Sequence, residues 1–174
     1  VDTPRRSDLA RDGTAIAMVE HALASLRGLE IDNCEIRVTG NEMPGLDGSA
    51  FPYVEAIQEA GTLTQNAPLQ VLHVKKTIRV GDSNAWIEVE PVDDDLTHLA
   101  YLLDYGEENA IGRQRAELTL TPEGFIGSIA QARTFLLQQE AEKLQSQGLG
   151  THTTFQELLV FDEHGPIENE LRFV

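Results

Sequence analysis

The stretch Thr14-Ala15-Ile16-Ala17-Met18-Val19-Glu20-His21-Ala22-Leu23-Ala24-Ser25-Leu26-Arg27-Gly28 reads as an amphipathic helix, and the segments C-terminal to it set the layering. Thr14 is a plausible N-cap, Ile16, Val19, Leu23 and Leu26 form one apolar stripe, and Gly28 stands near the end. Cys34-Glu35-Ile36-Arg37-Val38 then alternates as a half-buried strand with Cys34, Ile36 and Val38 facing inward. Pro44 to Gly48 is a turn, and Ala50 to Ala60 is a second helix with Phe51, Val54 and Ile57 inward and Gly61 closing it.

Working outward, the polar stretch Thr62 to Pro68 is the candidate linker between two units. Beyond it, Val71–Val80 and Ala85–Val92 flank Gly81-Asp82-Ser83-Asn84 as a hairpin. Further strands are expected at Leu96–Tyr105 and Ala116–Thr121, and Pro122 starts a short helix carrying Phe125 and Ile129. A short strand at Arg133–Leu137, a helix at Glu140–Gln147 and a strand at Leu158–Phe161 make a strand-helix-strand excursion, and its apolar content exceeds what a surface flap needs.

The chain has 174 residues, enough for one good core or two small ones. Its 41% hydrophobic and 24% charged composition is that of an ordinary globular protein. Thirteen basic against 29 acidic residues give a net charge of −16, which argues against nucleic acid or anionic lipid as a partner. No apolar run approaches the roughly 18 residues of a membrane span, and no basic-then-apolar leader is present. Cys34 is the sole cysteine, so no internal disulfide forms and a reducing compartment, the cytoplasm, is expected. The chain opens on Val1 and stops after Phe173-Val174, and is read as a fragment.

Chemistry concentrates at Glu20 and His21. Adjacent carboxylate and imidazole can serve one zinc-activated water, the imidazole as ligand and the carboxylate as general base. On helical spacing His21 points nearly opposite the apolar stripe while Glu20 flanks it, so His21 is either a solvated surface residue or faces a second unit across a cleft. His73 and His98 fall in strand patterns as packing or edge residues. The Glu163-His164 pair is followed by Gly165-Pro166, which breaks any helix, so it is no metal site. Asp93-Asp94-Asp95 lacks the spacing of a calcium loop and reads as a solvated turn, and Cys34 as a buried small hydrophobe.

Taken in order, Val19-Glu20-His21, Ile31-Asp32-Asn33 and Glu42-Met43-Pro44-Gly45-Leu46-Asp47-Gly48-Ser49-Ala50 resemble the zinc-dependent UDP-3-O-acyl-N-acetylglucosamine deacetylases of lipid A (lipopolysaccharide) biosynthesis in Gram-negative bacteria. A second match runs through Ala132-Arg133-Thr134-Phe135 to Leu144-Gln145-Ser146-Gln147-Gly148-Leu149-Gly150, and a third at Pro166–Phe173 resembles the segment before the family's His-Lys-x-x-Asp motif. Thr151–Glu157 departs from the family, many of whose members have a Gly-rich stretch and an Asp-Asn pair there.

The resemblance implies roles. Glu20 would be the general base, His21 the first zinc ligand with the others expected beyond Val174, and Asp47 an electrostatic support. Thr134 would help hold the oxyanion, while Phe135, Leu136, Leu137, Leu144 and Leu149 would line a passage for the substrate's acyl chain. The implied cofactor is Zn2+, and the implied substrate a UDP-sugar lipid precursor. The implied fold is α+β, with two similar two-layer domains, each a small sheet with helices on one face. Residues 1–65 would be the C-terminal part of the first domain and 66–174 the second, incomplete at its end, with an insert at about 133–160. The alternative reading is a non-catalytic acidic binding module, or an inactive fragment lacking the full metal site. The oligomeric state is left open.

Overall fold

The computed structural model describes residues 6–148, 154, 155 and 157–168. The first departure from expectation comes at the start of the chain. Leu9–Arg11 (β1) and Thr14–Ile16 (β2) pair antiparallel across Asp12-Gly13, whose φ values of 50° and 81° make a tight left-handed turn. Thr14 is therefore a strand residue and no helix cap. Helix α1 spans Glu20–Gly28, with Val19 before it and Met18 turned to φ 57° to change the chain's direction.

The expected inward stripe holds at Val19, which is buried, and in part at Ile16 and Leu26, which are half-buried, but not at Leu23. Leu23 is exposed, and the buried positions of α1 are Ala22, Ser25 and Gly28. These small residues let α1 approach its neighbours closely. A Cβ on Gly28 would stand 2.2 Å from Cδ1 of buried Phe125, so the glycine makes room for that ring. Helix α2 (Phe51–Ala60) matches expectation, with Val54 fully buried, Phe51 and Ile57 half-buried and Gly61 at its C-cap.

Residues 34–38 form no strand in the structure, and Cys34 and Ile36 are exposed. Alternation alone does not make a strand, because the backbone groups also need a partner. No described residue pairs with this stretch. Together with the exposed segment 61–70 it borders an open cleft of about 1100 Å³ beside α1 and α2.

The later elements keep the expected order, but the strand expected over Val71–Val80 begins only at Ile78. Ile78–Gly81 (β3) and Trp86–Val89 (β4) form the expected hairpin, its turn held by backbone N–H groups of Asn84 and Ala85 donating to the Asp82 carboxylate at 2.7 and 2.9 Å. His98–Asp104 (β5) and Arg113–Thr119 (β6) pair antiparallel. Thr121 caps the short helix α3 (Pro122–Gly124) by accepting from the Gly124 N–H, and a π-helical turn, Phe125–Ile129, continues it. The excursion is a β–α–β unit. Phe135–Leu137 (β7) and Leu159–Phe161 (β8) run parallel, joined through α4 (Gln138–Ser146), as parallel neighbours require a crossover.

Three apolar clusters are buried among the described residues. Ala50 and Val54 of the α2 end pack with Phe125 and Ala130, joining elements from either side of the expected linker. Leu103, Ile111, Leu159 and Phe161 form the second, and Val19, Ala22 and Met43 the third. The fold is α+β, with each sheet among the described residues two-stranded.

Candidate active site

His21 lies on the first turn of α1, in a half-buried position. Its backbone is tied to the start of α2. The hydroxyl of Ser25, fully buried one turn on, donates to the His21 carbonyl at 2.8 Å and lies 3.1 Å from the carbonyl of Ala50 at the start of α2. The loop leading to Ala50 is tightly made. Ser49 Oγ and the Ser49 backbone N–H both donate to Asp47 Oδ1, at 2.6 and 3.0 Å, and the Gly48 N–H donates to the Gly45 carbonyl. Gly48 sits at φ +77°, and a Cβ there would meet the Glu157 carbonyl oxygen at 2.2 Å. Only glycine meets both demands.

Thr134 arrives from the other half of the chain. Its backbone N–H donates to the Gly48 carbonyl at 2.8 Å, and its carbonyl accepts from the Leu159 N–H at 3.0 Å. This places the exposed Thr134 hydroxyl 3.3 Å from His21 Nε2, across 113 residues of sequence. Glu20 points to the same end of α1, where its Oε2 accepts the Ser7 N–H at 3.0 Å. Glu20, His21, Asp47 and Thr134 are thus brought together.

Burial pushes the His21 pKa below 6.5, and the negative charges of Glu20 and then Asp47 oppose that shift without cancelling it. The imidazole is therefore neutral near neutral pH, with a lone pair available on one nitrogen. Burial, reinforced by Glu20, raises the Tyr53 phenol, which stays protonated and donates to the Pro44 carbonyl at 2.7 Å.

A neutral imidazole on a rigid helix, flanked by carboxylates, fits a zinc ligand. It supplies one donor, since no three His, Cys, Asp or Glu side chains among the described residues could hold a metal. His98 and His164 have partners elsewhere. His98 lies 2.8 Å from Asp94 and 3.1 Å from Thr119 on a sheet face, and exposed His164 pairs with exposed Glu163.

The residues expected to line an acyl passage divide. Leu136 is buried, while Phe135 and Leu137 are half-buried against the Leu159–Phe161 cluster. The Phe135 ring meets Tyr105 and Phe161 edge-on at 5.7 and 6.1 Å. Leu144 is half-buried on α4, and Leu149 lies outside the described residues. So does most of the closing run at Pro166–Phe173, from residue 169 onward.

Two supports escaped the sequence reading: Ser25 and Arg133. Arg133 is 8% exposed and donates from Nε to the Asp47 carbonyl at 2.6 Å. A serine amid small helical residues and an arginine opening an apolar run were the available signals.

The profile of the UDP-3-O-acyl N-acetylglycosamine deacetylase family matches residues 1–174. The chain belongs to this family. Relatives named UDP-3-O-acyl-N-acetylglucosamine deacetylase include that of Oleidesulfovibrio alaskensis, 39% identical over 98% of this chain and 58% of its own length. That of Photobacterium profundum is 37% identical over 93% of this chain and 53% of its own, and that of Vibrio cholerae 35% identical over 99% and 57%. The chain thus spans little more than half the length of these family members.

Proposed function

We propose that the protein containing this chain hydrolyses the 2-acetamido group of a UDP-3-O-acyl-N-acetylglucosamine in lipid A biosynthesis. Membership of the family supports the reaction class, and the observation that carries the site is the convergence of Thr134 on His21 Nε2 at 3.3 Å. His21 would hold a zinc ion together with donors outside the described residues. When bound, that ion polarises the amide carbonyl and acidifies water.

The chain's own groups do part of the rest, and the leaving amine would take its proton from a group outside this chain. Glu20, one residue from the proposed ligand, takes the proton of the attacking water as general base. The Thr134 hydroxyl donates to the oxygen that becomes negative as the carbonyl carbon turns tetrahedral. Asp47 adds a fixed negative charge beside His21, favouring the imidazole's interaction with a cation. Phe135, Leu136, Leu137, Leu144 and Leu149 offer apolar surface to the acyl chain, and of these Leu136 is buried. No helix of the described residues is long and apolar enough to cross a membrane, and the protein is proposed to act in the cytoplasm. The proposed boundary between two similar units lies at residues 62–68.

Metal analysis of the purified full-length protein tests the ligand assignment. One zinc per chain is expected in the wild type and far less in His21→Ala. Equal zinc in the two would remove His21 from the site. The same comparison separates the enzyme from a non-catalytic acidic module, which would hold no zinc in either form.

A further inference from the structure

We propose that Arg133 is a positioning residue for the reaction. It clamps the Asp47 loop to Thr134, so that the loop carrying Asp47 and the Thr134 hydroxyl are held in a fixed relation to His21. This inference rests on the deacetylase reading of the site.

Arg133 stands where three distant segments cross. Its Nε donates to the Asp47 carbonyl at 2.6 Å and its Nη2 to the Phe155 carbonyl at 3.4 Å. The next residue continues the junction on the backbone, the Thr134 N–H donating to the Gly48 carbonyl and the Leu159 N–H to the Thr134 carbonyl. Residues 49 and 133 form an antiparallel bridge. Two successive carbonyls of the Asp47-Gly48 loop are therefore gripped, one by a side chain and the next by a backbone N–H. Glu157 closes against Gly48 with no space for a Cβ.

The chemistry of the guanidinium suits this place. It is planar, always charged and donates along fixed directions, so it can satisfy carbonyls of two segments at once. An ammonium on a flexible stem reaches one of them without fixing the angle between them. The clamp also lies directly behind the polar groups of the site. The Asp47 carbonyl it grips belongs to the residue whose carboxylate acts on His21, and Thr134 is its chain neighbour. Loosening the clamp would let the hydroxyl and the carboxylate drift by fractions of an ångström, and a misplacement of about 1 Å can cost about 10²-fold in rate.

The test uses the full-length protein. Arg133→Ala is expected to lower kcat about 10–100-fold with KM for the UDP-3-O-acyl substrate changed less than about threefold, because the clamp sets geometry at the reacting carbon. Methylguanidinium added to Arg133→Ala is expected to restore at least about tenfold of that loss. A purely structural arginine would give a lower melting temperature, an unaltered kcat in the folded fraction and no rescue, and that result overturns the proposal. If Arg133→Ala does not fold, Arg133→Lys decides. A reduced kcat at a near-wild-type melting temperature, with faster amide exchange at Thr134, supports the clamp, and an unaltered kcat overturns it. An inactive wild type would instead overturn the deacetylase reading.

Discussion

At His21, burial and charge act against each other, and burial prevails. The consequence for stability has a definite sign. In the unfolded chain this imidazole titrates near 6.5, and in the folded chain lower. Between the two values the unfolded state binds the proton and the folded state does not, so stability rises with pH there. The contribution is whole above 6.5 and is lost as pH falls through 6.5 to the lowered folded value. In chelator-treated protein, melting temperatures followed from about pH 8 down to about pH 5 should fall more steeply for the wild type than for His21→Gln. Parallel curves would mean that His21 is not desolvated in solution. Glu20 makes a separate prediction. Replacing it with Gln keeps the size and an acceptor for the Ser7 N–H, but removes the base. Turnover should drop about 10²–10⁴-fold with zinc content and melting temperature near wild type. Unchanged turnover would take Glu20 out of the mechanism.

Among the elements, α1 shows how a helix can be packed by what it lacks. Its buried face is Ala22, Ser25 and Gly28, and the Phe125 ring fills the space a side chain at residue 28 would take. Gly28→Ala should destabilise by about 1–3 kcal/mol, the cost of overpacking, which outweighs the roughly 0.5–1 kcal/mol that alanine gains over glycine within a helix. Gly127→Ala, with nothing within 4 Å of its added carbon, is the control. Equal melting temperatures for the two variants would show that the ring yields freely. At β7, Phe135→Ala should weaken use of a long-acyl substrate by about 1–3 kcal/mol and spare one without the acyl chain, if the ring lines the passage. Equal losses on both, with a lower melting temperature, would assign Phe135 wholly to the core against Tyr105 and Phe161.

The elements also show what a linear pattern conveys. Hairpins and helices with a local signal, such as the Asp82 turn and α2 with its Gly61 end, are legible in the sequence. Asp12-Gly13 is an equally local hairpin signal, masked by the helical spacing of the apolar residues around it. Cys34–Val38 cannot be judged locally, because a strand depends on a neighbour that alternation does not reveal.

Across the whole molecule the site is a meeting of distant segments. The residue types at Glu20, His21 and Asp47 are readable from short motifs, the roles proposed for Glu20 and His21 from their chemistry and the family resemblance, and that of Asp47 from the resemblance alone. That Thr134 comes within 3.3 Å of His21 follows from backbone bonds joining residues 48, 134 and 159, and no periodicity in the sequence carries that information. Arg133 stays hidden for the same reason, since its burial is a property of the junction and not of its neighbours in sequence. The acidic balance of the chain, at −16, makes the proposed anionic substrate dependent on local chemistry against the overall field. The most direct test is therefore acetate release. Full-length wild-type protein given UDP-3-O-acyl-N-acetylglucosamine should liberate acetate at a rate proportional to its zinc content, and His21→Ala should liberate almost none. No acetate from zinc-replete wild type, or an equal rate from His21→Ala, would contradict the account.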